Sequence, residues 1–408
     1  MSVREQSLVR TLFTPGHLIL LGLMGLGLVT AIVRYAYGIG AISNLNDDYP
    51  WGLWISFDLL CGVALAAGAF VTASAVYIFG REEFRPILRP AILTGFLGYL
   101  MVVLALLVDL GHPERIWYLI IFWNPHSVMF EVGWCVMLYT AVLAMEFSPL
   151  VWEKLQWSPL LRLIRNITVV LVILGTVLST LHQSSLGSLF SIVPDNLNGL
   201  WYTPLLPAMF FLTAVAVGPA MVIFESFISG KVFKRALEID ILGKLALAIP
   251  LAFAVYLPVK FIDIAVAGDA GLLFKANLSS AIFWLEIIGG VVVPGVLILL
   301  PGVRQSSGWL FGVATMVIAG VVLNRFNVSL IGLERPEGAF YLPHVLEFII
   351  TISIVSAGVL AYSLVARFLP LFPKEHLIQE GAQAQSGVRA TSQASGAYVR
   401  LEFEPENG

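Results

Sequence analysis

The chain has 408 residues, of which 58 % are hydrophobic and only 12 % charged, with a formal net charge of −3. That charged share is about half the usual one, which excludes a water-soluble enzyme, a coiled coil and a disordered chain. The mildly acidic balance leaves no basic footprint for nucleic acid, and two cysteines, Cys61 and Cys135, can build neither an iron–sulfur site nor a disulfide framework.

A membrane-crossing helix needs about 20 mainly apolar residues. Ten segments qualify: 17–37, 52–79, 90–110, 126–147, 166–190, 204–228, 241–266, 278–300, 308–331 and 343–369. Proline, glycine or charge bounds most of them, at Pro15-Gly16, Pro50, Arg89-Pro90, Pro125, Pro149, Pro204 and Pro343. The pattern predicts an all-α polytopic membrane protein. A cytoplasmic segment covers 1–16, and the membrane domain covers 17–370, with halves of about 17–200 and 201–370. The polar, small-residue stretch 371–408 is expected to be a flexible cytoplasmic tail.

Lysine and arginine set the orientation. Sixteen lie at the termini and in the loops near 81–90, 148–165, 229–240 and 301–307. The opposite side has three, Arg115, Lys275 and Arg335. Both termini are therefore expected in the cytoplasm. The outer loops then carry Asp47, Asp48, Asp195, Asp269, Glu334 and Glu337.

Ionisable groups inside a bilayer are costly and point to function. At about 1.5 Å per helical residue, Asp58, Glu131 and His182 lie roughly 9–12 Å from the outer edge of spans two, four and five. They are expected to share one layer, with Trp54, Phe57, Phe130 and Trp134 bringing aromatic surface to it. Lys260, Asp263, Glu286, Arg325, His344 and Glu347 repeat the layer in the second half. Lys260 with Asp263 is either a self-satisfied i, i+3 pair or functional. Arg325 either pairs with Glu286 or Glu347, or acts. Glu146, Glu225 and Lys244 lie toward the cytoplasmic side. His112, His126 and His344 are read as interfacial, and His17 as a headgroup contact. Only His182 is clearly embedded, so haem b, which commonly takes two histidines on facing helices, is not expected.

An apolar pocket with a few convergent polar groups suits a flat ring with two oxygens. A quinone needs a hydrogen-bond partner at each carbonyl and a route for two protons, and carboxylate and imidazole serve as proton carriers.

Four polar motifs converge on the outer side of the first half: Tyr49-Pro50-Trp51-Gly52-Leu53-Trp54-Ile55-Ser56-Phe57-Asp58, Asp109-Leu110-Gly111-His112-Pro113-Glu114-Arg115, Asn124-Pro125-His126-Ser127-Val128-Met129-Phe130-Glu131 and Leu181-His182-Gln183-Ser184-Ser185-Leu186-Gly187-Ser188. On Pro50–Asp58, Ser127–Glu131 and His182–Ser188, together with Ala144-Met145-Glu146-Phe147-Ser148-Pro149, the sequence resembles the NrfD/PsrC family of quinone-interacting membrane subunits. It looks closest to the branch of the membrane subunit, named a b-type cytochrome, of HybB-type [NiFe]-hydrogenases. Weaker matches are Phe283-Trp284-Leu285-Glu286, Arg325, and Tyr341-Leu342-Pro343 with Glu347. The likeness runs over about 17–370.

The resemblance implies two four-helix bundles with flanking spans. It implies electron exchange between menaquinone or ubiquinone and a four-cluster ferredoxin-like iron–sulfur subunit on the outer face. That subunit would serve a hydrogenase, a molybdopterin reductase or a cytochrome c. The chain itself would hold no haem and no iron–sulfur cluster, and would sit in a bacterial or archaeal inner membrane among its lipids. Asp58, Glu131 and His182 are then the quinone-pocket and proton-handling residues. Trp54, Gln183, Ser184, Arg34 and Tyr35 are candidate quinone contacts, Glu146 and Glu225 proton inlets, and Asp109 and His112 partner-facing. The alternative is a secondary transporter. Pro219, Pro250, Pro258 and Pro294 fall inside spans six to eight, but no proline falls inside the first five expected spans.

Overall fold

The computed structural model describes residues 14–49, 51–192, 197–334 and 341–372. Pro50, Asp195, Arg335, Glu337, the first thirteen residues and the tail from 373 lie outside the described residues. Ten helices are long and apolar enough to cross a membrane. They are α1 (Pro15–Tyr37), α2 (Trp54–Tyr77), α3 (Glu82–Asp109), α4 (Val128–Leu155), α5 (Ser158–Ser191), α6 (Leu206–Phe233), α7 (Ile239–Ala267), α8 (Leu278–Leu299), α9 (Ser307–Ile331) and α10 (Val345–Phe368). Among the described residues there is no strand, only a single bridge between Leu197 and Leu333. The chain is an all-α, multi-pass membrane protein.

All ten spans fall where hydropathy puts them, but several helices outrun the apolar stretch. α4 continues through Pro149 to Leu155, and α5 starts at Ser158, well before the apolar run. The helical stretch of α3 from Arg85 holds Pro86 in its first turn and Pro90 inside. Two of the first five spans thus contain an internal proline, which corrects the expectation of none. α6 likewise runs on through Pro219. Proline in a transmembrane helix is tolerated when neighbouring groups meet the freed carbonyl.

α2 and α6 are the centre: 78 % and 67 % of their apolar windows are buried, against 17 % of that of α1. They join the two halves. At their crossing a Cβ on Gly218 would lie 3.1 Å from the Ala67 backbone, tighter than an ordinary contact, so a small residue suits this approach. α4 and α5 flank one side, α7 to α9 the other, and α1 pairs with the returning α10. Apolar side chains left exposed on α1, such as Leu18, Leu28 and Ile32, suit a lipid-facing position.

One end is pinned by ion pairs. Glu153 of α4 meets Arg89 of α3 at 2.9 Å and Arg165 of α5 at 3.0 Å. Lys244 of α7 meets Glu83 at 2.7 Å, so it lies at the helix-end surface rather than inside the span. Arg89 also donates to the Pro370 carbonyl after α10 at 3.0 Å. The helix ends expected on the Lys/Arg-rich side therefore meet at one end.

Candidate functional site

The Trp54–Asp58 motif folds as a π-helical stretch, Trp54–Cys61, at the start of α2. Such widened turns recur at functional sites. Asp58 is 6 % exposed, and its Oδ2 accepts a hydrogen bond from the Thr351 hydroxyl of α10 at 2.7 Å. Asp58 also lines a cavity of about 660 Å³ between the α1–α10 pair and α2, α3 and α6. Its neighbours there include Phe57, Gly62, Gly98 and Met101, and the far end holds Glu225, Tyr362 and His17.

The wall behind Asp58 is a hydrogen-bonded frame. Trp54 is buried and donates from Nε1 to the Glu347 carbonyl at 3.4 Å. The Glu347 carboxylate accepts from the backbone N–H of Asn44 at 3.1 Å and of His344 at 2.9 Å, and from the Tyr341 hydroxyl. Burial, with the Glu347 carboxylate beside it, pushes the Tyr341 phenol up. His344, read as interfacial, is the N-cap of α10. Asp109, at the C-terminal end of α3, lies within electrostatic reach of Arg34, Glu347 and Asp58.

Arg34 and Tyr35, the expected quinone contacts near the end of α1, reach the C-terminal end of α3. Arg34 is buried and donates from Nε to the Val108 carbonyl at 2.7 Å, and also to the Leu110 carbonyl. Tyr35 donates to the Leu107 carbonyl at 2.8 Å. These donors meet the orphan carbonyls at the C-terminal end of α3, where a cation is favoured.

His182 lies on the other face of α2 and α3, enclosed in the α2–α5 bundle. It is fully buried, with Nδ1 2.8 Å from the Tyr99 hydroxyl and Nε2 without a partner. Gln183 donates to the Val63 carbonyl at 3.0 Å and leaves its own side-chain oxygen unpaired. Tyr99 packs edge-on against Tyr139 with centroids 4.7 Å apart, and Ser179 sits beside both. Further in, Glu146 is the nearest carboxylate to Tyr139, and Ser74 meets Thr176 at 2.7 Å. A column of polar atoms thus runs through an otherwise apolar bundle. Ser184 is half-buried, and its carbonyl accepts from Ser188 at 3.2 Å.

Glu131 sits elsewhere. It is exposed in the first turn of α4, where its carboxylate accepts from the Ser185 hydroxyl at 2.6 Å. No hydrogen bond joins any two of Asp58, Glu131 and His182. The expected single layer resolves into three environments: a cavity wall, a sealed bundle and a surface. Phe130 and Trp134 join the surface group with Trp123, while Trp54 packs with Ile42 and Ile350. His112 is exposed beside Glu114, 3.0 Å away. A backbone N–H and then His112 hold the Glu114 carboxyl below its usual range.

The second half is polar but closed. Glu286, inside the π-helical stretch Leu285–Val292, accepts from Trp201 at 3.0 Å, Asn324 at 2.8 Å and Asn327 at 2.5 Å. Arg325 donates to Asn324 at 2.7 Å and Thr213 at 2.9 Å and lies 3.7 Å from the Phe210 ring centroid. Asn324 thus stands between Arg325 and Glu286, and neither expected direct pair forms. Lys260 is buried near Glu286 and makes no ion pair with Asp263 within 4.0 Å. His17 is buried and meets Ser363 at 2.9 Å, which replaces the expected headgroup contact.

Sequence reasoning missed Thr351 and Tyr99, the partners of Asp58 and His182, and quoted Ser185 within its motif without pairing it with Glu131. A lone tyrosine in the apolar run of α3 is a readable signal for Tyr99. Thr351 carries none, because its partner lies 293 residues away.

A family model described as "Polysulphide reductase, NrfD" matches residues 41–337. A protein of Nitratidesulfovibrio vulgaris is 40 % identical over 89 % of this chain and 95 % of its own length. The "Probable Ni/Fe-hydrogenase 2 b-type cytochrome subunit" of Escherichia coli is 32 % identical over 84 % of this chain and 88 % of its own. The "Menaquinone reductase, integral membrane subunit" of N. vulgaris is 31 % identical over 86 % and 90 %.

Proposed function

The chain belongs to the polysulphide reductase NrfD family, and from that premise we propose that it is the membrane subunit of a respiratory quinone oxidoreductase complex. It exchanges electrons between the quinone pool and an iron–sulfur partner. The observation that carries this reading is Asp58, a buried carboxylate on the wall of a membrane-depth cavity, held there by Thr351. Thr351 occupies one carboxyl oxygen, and among the described residues nothing hydrogen-bonds the other.

Reducing a quinone takes two electrons from the iron–sulfur partner and two protons, one to each ring oxygen. Oxidising a quinol returns them. Asp58 is assigned to exchange a proton at the cavity, with Asp109 between it and the outer surface. The menaquinone in the name of one relative makes that the first quinone to test.

In this reading the electrons come from an iron–sulfur partner subunit rather than from a group held by this chain. Among the described histidines, His182 meets Tyr99 through Nδ1, His17 meets Ser363 and His344 caps a helix, while His112 and His126 are exposed. The partner is an iron–sulfur subunit on the outer face near Asp109 and His112, serving a hydrogenase or a related reductase. The Lys/Arg bias supports cytoplasmic termini in a bacterial or archaeal inner membrane.

The polar column supports a proton route from the cytoplasmic side. Glu146 is its inlet, and Tyr139, Ser179 and the Tyr99–His182 pair carry the proton outward. Glu225, bonded by Tyr362, is the inner carboxylate of the cavity instead. No hydrogen-bonded chain joins His182 to Asp58, so water must bridge the last step. The test is gentle purification from the native membrane, with mass spectrometry of everything retained. An iron–sulfur subunit with bound quinone supports the reading; a lone chain that drives substrate flux in vesicles favours the transporter.

A further inference from the structure

The cavity at Asp58 is far longer than a quinone ring. From Ile354 to Arg367 its lining follows α10 for thirteen residues, about 20 Å of helix. Met221 to Phe233 on α6 runs beside it for a similar distance. Between its polar ends the lining is apolar: Leu97, Met101, Met221, Phe224, Val355 and Val359. Val359 and Ile228, on its rim, are 51 % and 46 % exposed, so the groove opens sideways where lipid would lie.

An apolar channel does not hold a water wire well; unfilled cavities of this kind stay dry or take apolar guests. Its length, its sideways opening and its largely apolar lining between Asp58 and the Glu225–Tyr362 pair suit an amphipathic guest with a long chain. We propose that this groove binds the isoprenoid chain of the quinone, with the ring at Asp58 and the chain running inward between α6 and α10. This rests on the quinone reading of Asp58. The α1–α10 pair then forms the outer wall of the binding channel, and the chain enters from lipid past Val359 and Ile228. Val359 lies eight residues, about 12 Å of helix, beyond Thr351, so it meets the chain and not the ring.

The test uses the assembled complex carrying Val359→Trp or Ile228→Trp. Turnover is measured with quinone analogues lacking a side chain and with analogues of increasing isoprenoid length. Each variant is compared with the unmodified complex on the same analogue, so membrane partitioning cancels. The expected result is unchanged kcat/KM for the chainless analogue and a loss of about tenfold or more for the long-chain ones, as a few methylenes lose their burial. Val359→Ala, which widens the groove, should also weaken long-chain quinones selectively. The groove is overturned if all analogues fall equally in the Trp variants and the Ala variant shows no chain selectivity. It is also overturned if a photoreactive phospholipid, rather than a photoreactive long-chain quinone, labels Met221 and Val355. If the unmodified complex turns over no quinone of any length, the reading of Asp58 fails as well; equal response to all lengths defeats the groove alone.

Discussion

Thr351 donates to Asp58 across 293 residues of sequence and so fastens the last membrane helix to the second. That bond fixes the carboxylate against the cavity wall. Thr351→Val removes the donor while keeping the shape. A buried hydrogen bond to a charged group contributes about 1.5–3 kcal/mol. Quinone turnover should fall between about tenfold and a hundredfold with the complex still assembled. Wild-type rates would place the orientation of Asp58 elsewhere.

Tyr99→Phe strips His182 of its only side-chain hydrogen-bond partner among the described residues. Leaving a buried imidazole nitrogen unpaired costs about 1–3 kcal/mol. Thermal unfolding of the purified complex should shift down, and proton-coupled turnover should slow. Unchanged unfolding would mean that water already meets His182.

Glu146→Gln and Glu225→Gln separate the two inner carboxylates. If the polar column carries protons, Glu146→Gln suppresses proton uptake from the inner side of reconstituted vesicles. Glu225→Gln then leaves uptake intact. Equal effects, or an effect of Glu225→Gln alone, would move the route to the cavity.

Glu286 and Arg325 are bound into one buried network through Asn324, with Arg325 Nε left without a partner among the described residues. Arg325→Met leaves the Asn324 side-chain oxygen without its donor in a sealed interior, while Asn324 still donates to Glu286 and Thr213 to the Met209 carbonyl. Breaking such buried charged networks costs about 3–5 kcal/mol. The variant should lower complex yield and unfolding temperature, while any complex that assembles keeps its KM for quinone. A raised KM at normal stability would give this network a part in binding.

Helix number and order are legible in the sequence because a span is a property of one continuous segment, and 17–37 or 278–300 can be read without knowing their neighbours. Helix ends are less so: α4 and α5 extend past the apolar run to bring Glu153 to Arg89 and Arg165, and hydropathy marks the hydrocarbon rather than the helix. Depth along a span is also readable, and it singles out Asp58, Glu131 and His182. Depth says nothing about rotation about the helix axis. Asp58 and His182 face opposite sides of the α2–α3 wall, while Glu131 faces out, a difference of direction that only packing decides. Arg34 shows the same limit: its position suits a ligand, but the carbonyls of Val108 and Leu110 claim it.

The central claim is that Asp58 exchanges protons with quinone at the cavity. The most direct measurement is turnover and bound quinone in the assembled Asp58→Asn complex. The amide keeps the size of the side chain and loses its proton chemistry, and general acid–base groups contribute about 10²–10⁴-fold. Quinone retained with turnover down at least about a hundredfold is the predicted result. Full turnover in that variant, with quinone bound as before, would contradict it.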